Sequence, residues 1–293
     1  MNKTNNFLAV VYALLAVAMW STVATAFKLS LAEMSILQLL TGASFFSLVI
    51  LGFILLLRRE LRHALSTLSA NLVRSLVLAV FNPILYYFVL LEAYNQLPAQ
   101  VAQSLNYTWA ISLTLLSVPI LKHTLNRHDA IAIFLGYIGV ICIAFSGKSI
   151  TGELHFWGIF LALISTIIWS GYWLYNRLDE RPATTKLFHS FLLATPILIA
   201  LLFITGWHTD YLTSRQLLGM AYIGLFEMGI AFTCWQMAMA YTEKVSQISI
   251  LIFLSPFISL FIINTFLNEP IHILTIIGLI LIIIGIFNQQ IRQ

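Results

Sequence analysis

The chain has 293 residues, of which 60% are hydrophobic and 9% charged, with a formal net charge of +4. Soluble domains carry about 25% charged residues, so this composition excludes an ordinary soluble globular protein. The small, scattered positive excess gives nucleic acid no basic surface to meet, and the two cysteines, Cys142 and Cys234, both lie inside apolar runs as packing residues.

An apolar stretch of about 20 residues crosses a bilayer. In chain order, apolar windows bounded by charge, proline or glycine predict ten spans, near 7 to 27, 36 to 57, 72 to 94, 98 to 120, 129 to 146, 155 to 176, 187 to 206, 216 to 241, 245 to 267 and 271 to 288. The connections are short, and the longest polar one runs from Arg58 to Asn71. The expected fold class is an all-α polytopic membrane protein. In the first span, Lys3, an apolar stretch and Ala24-Thr25-Ala26 together resemble a signal peptide with its cleavage site, but an internal repeat claims this segment as a retained helix.

Lysine and arginine orient the spans, because positively charged loops stay cytoplasmic. With the N-terminus inside, Lys3, Arg58, Arg59, Arg62, Arg74, Lys122, Arg127, Arg177, Arg181, Lys186, Lys244 and Arg292 are cytoplasmic, and Lys28, Lys148 and Arg215 lie outside, a division of 12 to 3. That asymmetry predicts a multi-pass protein of the inner (cell) membrane with both termini cytoplasmic and an even span count.

Residues 13 to 28, "ALLAVAMWSTVATAFK", align with 162 to 177, "ALISTIIWSGYWLYNR", at an offset of 149, and "AYNQLPAQVAQ" echoes "AYTEKVSQISI" further on. The chain therefore divides into a first five-helix repeat, 1–148, and a second, 149–293. Five is odd, so the second repeat enters from the opposite face. The result is ten transmembrane helices as two inverted repeats, the arrangement of many transporters, whose substrate site lies near mid-membrane between the repeats. Duplicated helices building a dimer-like bundle are the plainer alternative.

These residues resemble the drug/metabolite transporter superfamily, in its ten-helix EamA-type branch. The resemblance is carried by Trp20-Ser21 and Trp169-Ser170, the segment from Ala93 to Leu121 containing "NYTW", "GLFEMGIAF", "LSPFISL" and Glu269 after the ninth span. It implies transport by alternating access, with export of amino acids or related metabolites as the substrate class and direction. Aromatic amino acid exporters of that superfamily are similar around Asn106-Tyr107 but carry a proline where this sequence has Ala110, and the acidic residue at the end of their fourth span is absent from "LKHTLN".

The polar residues inside the spans are the candidate site. Glu227 lies 11 residues beyond Gln216, which at about 1.5 Å per residue is near the middle of a core roughly 30 Å thick. A carboxylate there costs about 3 kcal/mol, so it must face the bundle interior and be protonated, paired or solvated by a cavity. Steps of three and four put Gly224, Glu227, Ala231, Cys234 and Ala238 on one side. Glu227 is read as binding a cationic substrate or coupling transport to a proton or cation, against a structural hydrogen bond between helices. Gln100, Gln103, Tyr107 and Thr114 share a face of the fourth span with Asn106 at its border, serving either as a hydrogen-bonding wall or as helix-helix contacts. Asn82 with Tyr86, where Pro83 should disturb the third helix, and Trp169 with Tyr172, Trp173 and Asn176 form polar-aromatic stripes. Trp20, Asn82, Tyr86, Gln103, Asn106, Tyr107, Trp109, Trp169, Tyr172, Trp173, Glu227 and Trp235 are the expected substrate-binding residues. Glu269 before Pro270 reads as a helix cap or inter-loop partner, and Pro196 and Pro256 as kinks.

An enzyme is not expected. The seven histidines fall in loops or near span ends, no HExxH or GxSxG pattern occurs, and the cluster His123, His128 and Asp129 reads as anchoring at the membrane surface. No metal or cofactor is implied. The expected partners are a small-molecule substrate and the lipid bilayer, with no nucleic acid, and a homodimer is compatible. Without a nucleotide-binding motif the driving force is a gradient. Uptake of a cationic or zwitterionic metabolite, or a non-transport scaffold or lipid-handling role, are the alternative functions.

Overall fold

The protein was analysed as a computed structural model, which describes residues 5–122, 126–205, 212–242, 248 and 250–290. Lys3, Lys244 and Arg292 in the orientation argument, and His123 and His208, lie outside these residues.

The described residues are helical, without strands. α1 covers Asn6–Leu31, α2 Ile36–Leu57, α3 Leu61–Thr67, α4 Leu72–Ala79, α5 Tyr86–Gln96, α6 Ala99–Asn106, α7 Trp109–Leu121, α8 Arg127–Thr151, α9 Phe156–Arg177, α10 Ala183–Thr205, α11 Ser214–Tyr222, α12 Ala231–Tyr241, α13 Leu254–Leu267 and α14 Ile273–Gln290. Among the described residues, eight helical segments are long and apolar enough to cross a membrane, and Ile273–Asn288 is a shorter apolar helix. The fourth expected span is not continuous. It is divided into α6 and α7 at Tyr107 and Thr108, so the expected single face from Gln100 to Thr114 is interrupted.

Side-chain caps start several helices where the sequence supplies them. Ser35 and Gln38 form a reciprocal box at α2, Asn126 and Asp129 at α8, and Thr213 and Gln216 at α11. Asp129 is thereby a helix-start residue, and neighbouring His128 meets Asn288 at 3.2 Å. No group of three histidine, cysteine, aspartate or glutamate side chains among the described residues could hold a metal ion. α1 runs unbroken through Ala24-Thr25-Ala26.

The chain forms two compact units. The first comprises residues 1–88 and 179–255: spans one, two, most of three, seven and eight. The second comprises 89–178 and 256–293: spans four, five, six, the later half of nine, and ten. Spans two and seven are therefore partners within one unit, as are five and ten within the other. Compactness groups the helices differently from the sequence repeat, with span one in the first unit and span six in the second.

Two-fold kinship is visible where α8 crosses α14. A Cβ added to Gly139 would lie 2.7 Å from the carbonyl oxygen of Gly278, and one added to Gly278 would lie 2.6 Å from that of Gly139. Each glycine occupies the other's place in the crossing, the reciprocity that a two-fold axis produces. Small residues admit such close backbone approach between membrane helices.

Backbone distortion repeats as well. The third span is kinked within Val80–Leu85, and the eighth widens into a π-helical turn at Ile223–Ile230. In the third, Asn82 leaves helical geometry (φ −143°, ψ 115°) ahead of Pro83, which lacks the N–H a continuous helix needs. α13 continues without a gap from a tighter turn at Ile250–Phe253, and Pro256 falls in the first turn of α13, just after that change of winding. Pro196 sits within an uninterrupted α10.

Candidate functional site

The first unit builds its polar centre on the kink of the third span and the π-helical turn of the eighth. The turn at Ile223–Ile230 is seated on α2 through glycine. A Cβ on Gly224 would collide with the carbonyl oxygen of Ala43, and one on Gly229 with Ile50. Ser47 of α2 donates to the carbonyl of Gly224 at 2.8 Å. This wide turn carries Glu227, which is 8% exposed. The Tyr87 hydroxyl donates to Glu227 Oε1 at 2.9 Å, whereas Oε2 has no hydrogen-bond partner.

Tyr87 is fully buried, edge-on to Phe27 of α1 at 6.3 Å and to Tyr86 at 4.8 Å between ring centroids. Two turns earlier on α1, Trp20 packs against Phe232 at 5.5 Å and Trp235 at 5.6 Å. Asn82, 1% exposed, has neither amide atom in a hydrogen bond. An amide and a carboxylate oxygen left unmet at such burial are costly, and native proteins keep such atoms where water, an ion or a ligand satisfies them.

Of the expected site residues, Trp20, Asn82, Tyr86, Glu227 and Trp235 thus belong to the first unit. Tyr87 was missing from the expectation although it makes the central contact. The signal lay in Asn82-Pro83: a break there shifts the helical phase, so the residue that turns inward need not be the one an unbroken helix selects.

The second unit holds Gln103, Asn106, Tyr107, Trp109, Trp169, Tyr172 and Trp173. Here the amides have protein partners. Gln103 accepts from the Tyr94 hydroxyl at 2.7 Å, and Asn106 donates to Ser165 at 3.1 Å. Ser170 of α9 donates to the carbonyl of Trp109 at 2.9 Å, close to the break at Tyr107. Trp169 stacks on Tyr172 and stands perpendicular to Trp173, whose indole N–H is buried without a partner. Gln100 is committed to structure. It donates to Pro270 O and accepts from His272 N and Thr275 Oγ1, while Glu269 receives the N–H groups of Ala99 and Gln100 and caps α6.

A model of the EamA-like transporter family matches residues 7–145 and again residues 156–288. The chain belongs to that family. It is similar to an uncharacterized transporter of Clostridium kluyveri, at 26% identity over 172 residues, 57% of this chain and 55% of that one. The chain therefore spans about half the length of that relative. It is also similar to the uncharacterized transporter YvbV of Bacillus subtilis, at 23% identity over 218 residues, 72% of this chain and 69% of that one. A solved crystal structure shares the fold, with a TM-score of 0.66 over 97% of this chain and 96% of that one at 20% identity.

The chain holds one further polar cluster, in its first unit and remote from sequence expectation. His189, in the second turn of α10, is fully buried. Arg181 reaches Asp179 through Nε and Nη2, Ser75 through Nη1 at 2.8 Å, and His189 Nδ1 at 2.8 Å. Lys186 donates to the carbonyl of Asp179 at 2.8 Å. Burial raises the Asp179 carboxyl, but hydrogen bonds from the Arg181 side chain and backbone, with the charges of Arg181 and Lys186, outweigh it and hold it below the ordinary carboxylate value.

Proposed function

We propose that this EamA-like transporter is a secondary carrier of small polar metabolites that works by alternating access in the inner membrane, with both termini cytoplasmic, and exports amino acids or related amino compounds. Glu227 serves as the group that takes a cationic head or exchanges a proton during the cycle. The observation that carries this reading is the buried carboxylate on the Ile223–Ile230 turn with one oxygen bound to Tyr87 and the other unmet. Irregular backbone at membrane depth is characteristic of transporter binding sites, and ionisable groups there mark substrate or proton paths. Tyr86, Phe27 and the Trp20 cluster supply aromatic surface near charge, which suits an amino compound with an apolar part. Asn82 adds an amide that a cargo carboxylate or hydroxyl could meet, and in the second unit Trp169, Tyr172 and Trp173 offer a further stacking surface. The inverted repeats 1–148 and 149–293 supply the two-state scaffold. Export and the amino acid class rest on the family resemblance, and the cytoplasmic termini on the 12 to 3 distribution of cations.

The test compares metabolites inside and outside cells with and without the protein, followed by flux of the responding compounds in proteoliposomes carrying wild type or Glu227→Gln. The amide keeps shape and removes charge, so the variant should fold and lose flux or its pH dependence. Wild-type flux with wild-type pH dependence in that variant would refute the role of Glu227, and no metabolite difference in cells would count against the carrier reading itself.

A further inference from the structure

The Glu227 carboxylate is presented asymmetrically, and the asymmetry has chemical meaning. Oε1 is occupied by the Tyr87 hydroxyl at 2.9 Å, and Oε2 is unmet. Tyr87 is itself held, fully buried between Phe27 and Tyr86. From behind, the turn bearing Glu227 is fixed to α2 by Gly224, Gly229 and Ser47. The carboxylate therefore has little freedom to turn both oxygens towards an incoming group. Cations read carboxylates in two ways. An ammonium is a compact point charge that can bond a single oxygen, whereas a guanidinium is a planar fork that pairs best with two oxygens of one carboxylate.

We propose that Tyr87 is the specificity-determining residue of the Glu227 site: by occupying Oε1 it leaves a single carboxylate oxygen, which accepts a cargo ammonium head and discriminates against a guanidinium head. This rests on the reading of Glu227 as a cargo-binding group, and it narrows the cargo to amino compounds bound through an ammonium. The neighbouring aromatic rings favour the same class, since a small cation desolvated beside aromatic faces gains from the ring quadrupole. Tyr87→Phe removes the hydroxyl but keeps the ring against Phe27 and Tyr86. It frees Oε1 and restores the two-oxygen face that a guanidinium requires.

The test measures binding of n-butylammonium and n-butylguanidinium, which share one alkyl tail, to the purified protein in lipid nanodiscs by calorimetry and ligand-induced thermal shift. Wild type should bind the ammonium at least about tenfold more tightly, a factor equivalent to about 1.4 kcal/mol. Tyr87→Phe should shrink that ratio at least several-fold, mainly by tighter guanidinium binding, and Glu227→Gln should lose both ligands. Equal affinities or a guanidinium preference in wild type overturn the proposal, as does an unchanged ratio in Tyr87→Phe, while loss of binding in Glu227→Gln would still uphold Glu227 as a cation site. Failure of both probes to bind wild type, or ammonium binding that survives in Glu227→Gln, overturns the underlying reading and the proposal with it. Should Tyr87→Phe fail to fold, the wild-type ratio decides the matter alone.

Discussion

Arg181 Nη1 lies 2.8 Å from His189 Nδ1, and this contact fixes the state of the imidazole. A guanidinium has donors only, so Nδ1 must accept. The ring proton is then on Nε2, which donates to the carbonyl of Ala64 at 2.7 Å. One neutral tautomer of a buried histidine thus links α3, α4 through Ser75, and the residues leading into α10. Removing Arg181 leaves the Asp179 carboxylate, whose side chain is 3% exposed, without its hydrogen-bonded ion-pair partner and with only the nearby charge of Lys186. Arg181→Ala should therefore destabilise the protein by about 3 kcal/mol, the lower end of the cost of breaking a buried pair, because the arginine side chain keeps 12% exposure. Thermal unfolding in detergent checks this. In a double-mutant cycle Asp179→Asn with Arg181→Ala should cost less than the sum of the two single changes.

The same pair predicts an acid limit. A carboxyl held below its ordinary value contributes stability that is complete above the ordinary range, near pH 4, and is lost as pH falls through the lower folded value. The melting temperature of wild type should exceed that of Asp179→Asn by a constant margin between pH 7 and pH 5. Below about pH 4 the margin should close. A margin that widens on acidification would contradict the assignment.

Reciprocal contact between Gly139 and Gly278 makes a symmetric prediction. Gly139→Ala and Gly278→Ala each force a methyl into the other helix's carbonyl, so both should destabilise by a similar amount, about 1–3 kcal/mol for overpacking. Gly147→Ala is the control, since its new methyl would meet Val101 at an ordinary 3.5 Å. Unfolding measurements should separate the two crossing variants from this one.

Glu269 accepts from the N–H groups of both Ala99 and Gln100, the opening of α6. Glu269→Ala should cost about 1 kcal/mol, the usual value of a helix cap. By hydrogen exchange the peptide covering 99–106 should lose protection while the peptide around Glu227 is unchanged. Equal deprotection of both would show that Glu269 acts on the whole protein and not on one helix end.

Hydrophobic windows made the long apolar helices legible, eight of them long enough to cross a membrane among the described residues, because lipid demands such helices whatever their neighbours. Glu227 was legible for the same reason: a carboxylate in the middle of such a window needs a cause. Tyr87 was not, since choosing it over Tyr86 depends on the phase shift through Val80–Leu85. The break at Tyr107 was hidden as well. Asn106 and Trp109 are held there by Ser165 and Ser170, partners distant in sequence. The burial of His189 was not legible, because what surrounds it comes from α3, α4 and Arg181, and no local pattern announces such a convergence. Residues satisfied by distant partners leave little trace in the sequence around them.

The division of the chain between its two compact units bears on how the protein is made. Helices leave the ribosome in order, yet the first unit needs α10 to α12 in addition to its opening spans, and the second needs α9, α13 and α14 in addition to spans four and five. Neither can be completed from the first 148 residues. The early helices must therefore wait in the bilayer as individually stable segments until translation has passed Ser255. A chain truncated at its repeat boundary should accumulate as inserted but unassembled helices, the species that membrane quality-control proteases remove, while the two halves produced together can still supply every part of both units.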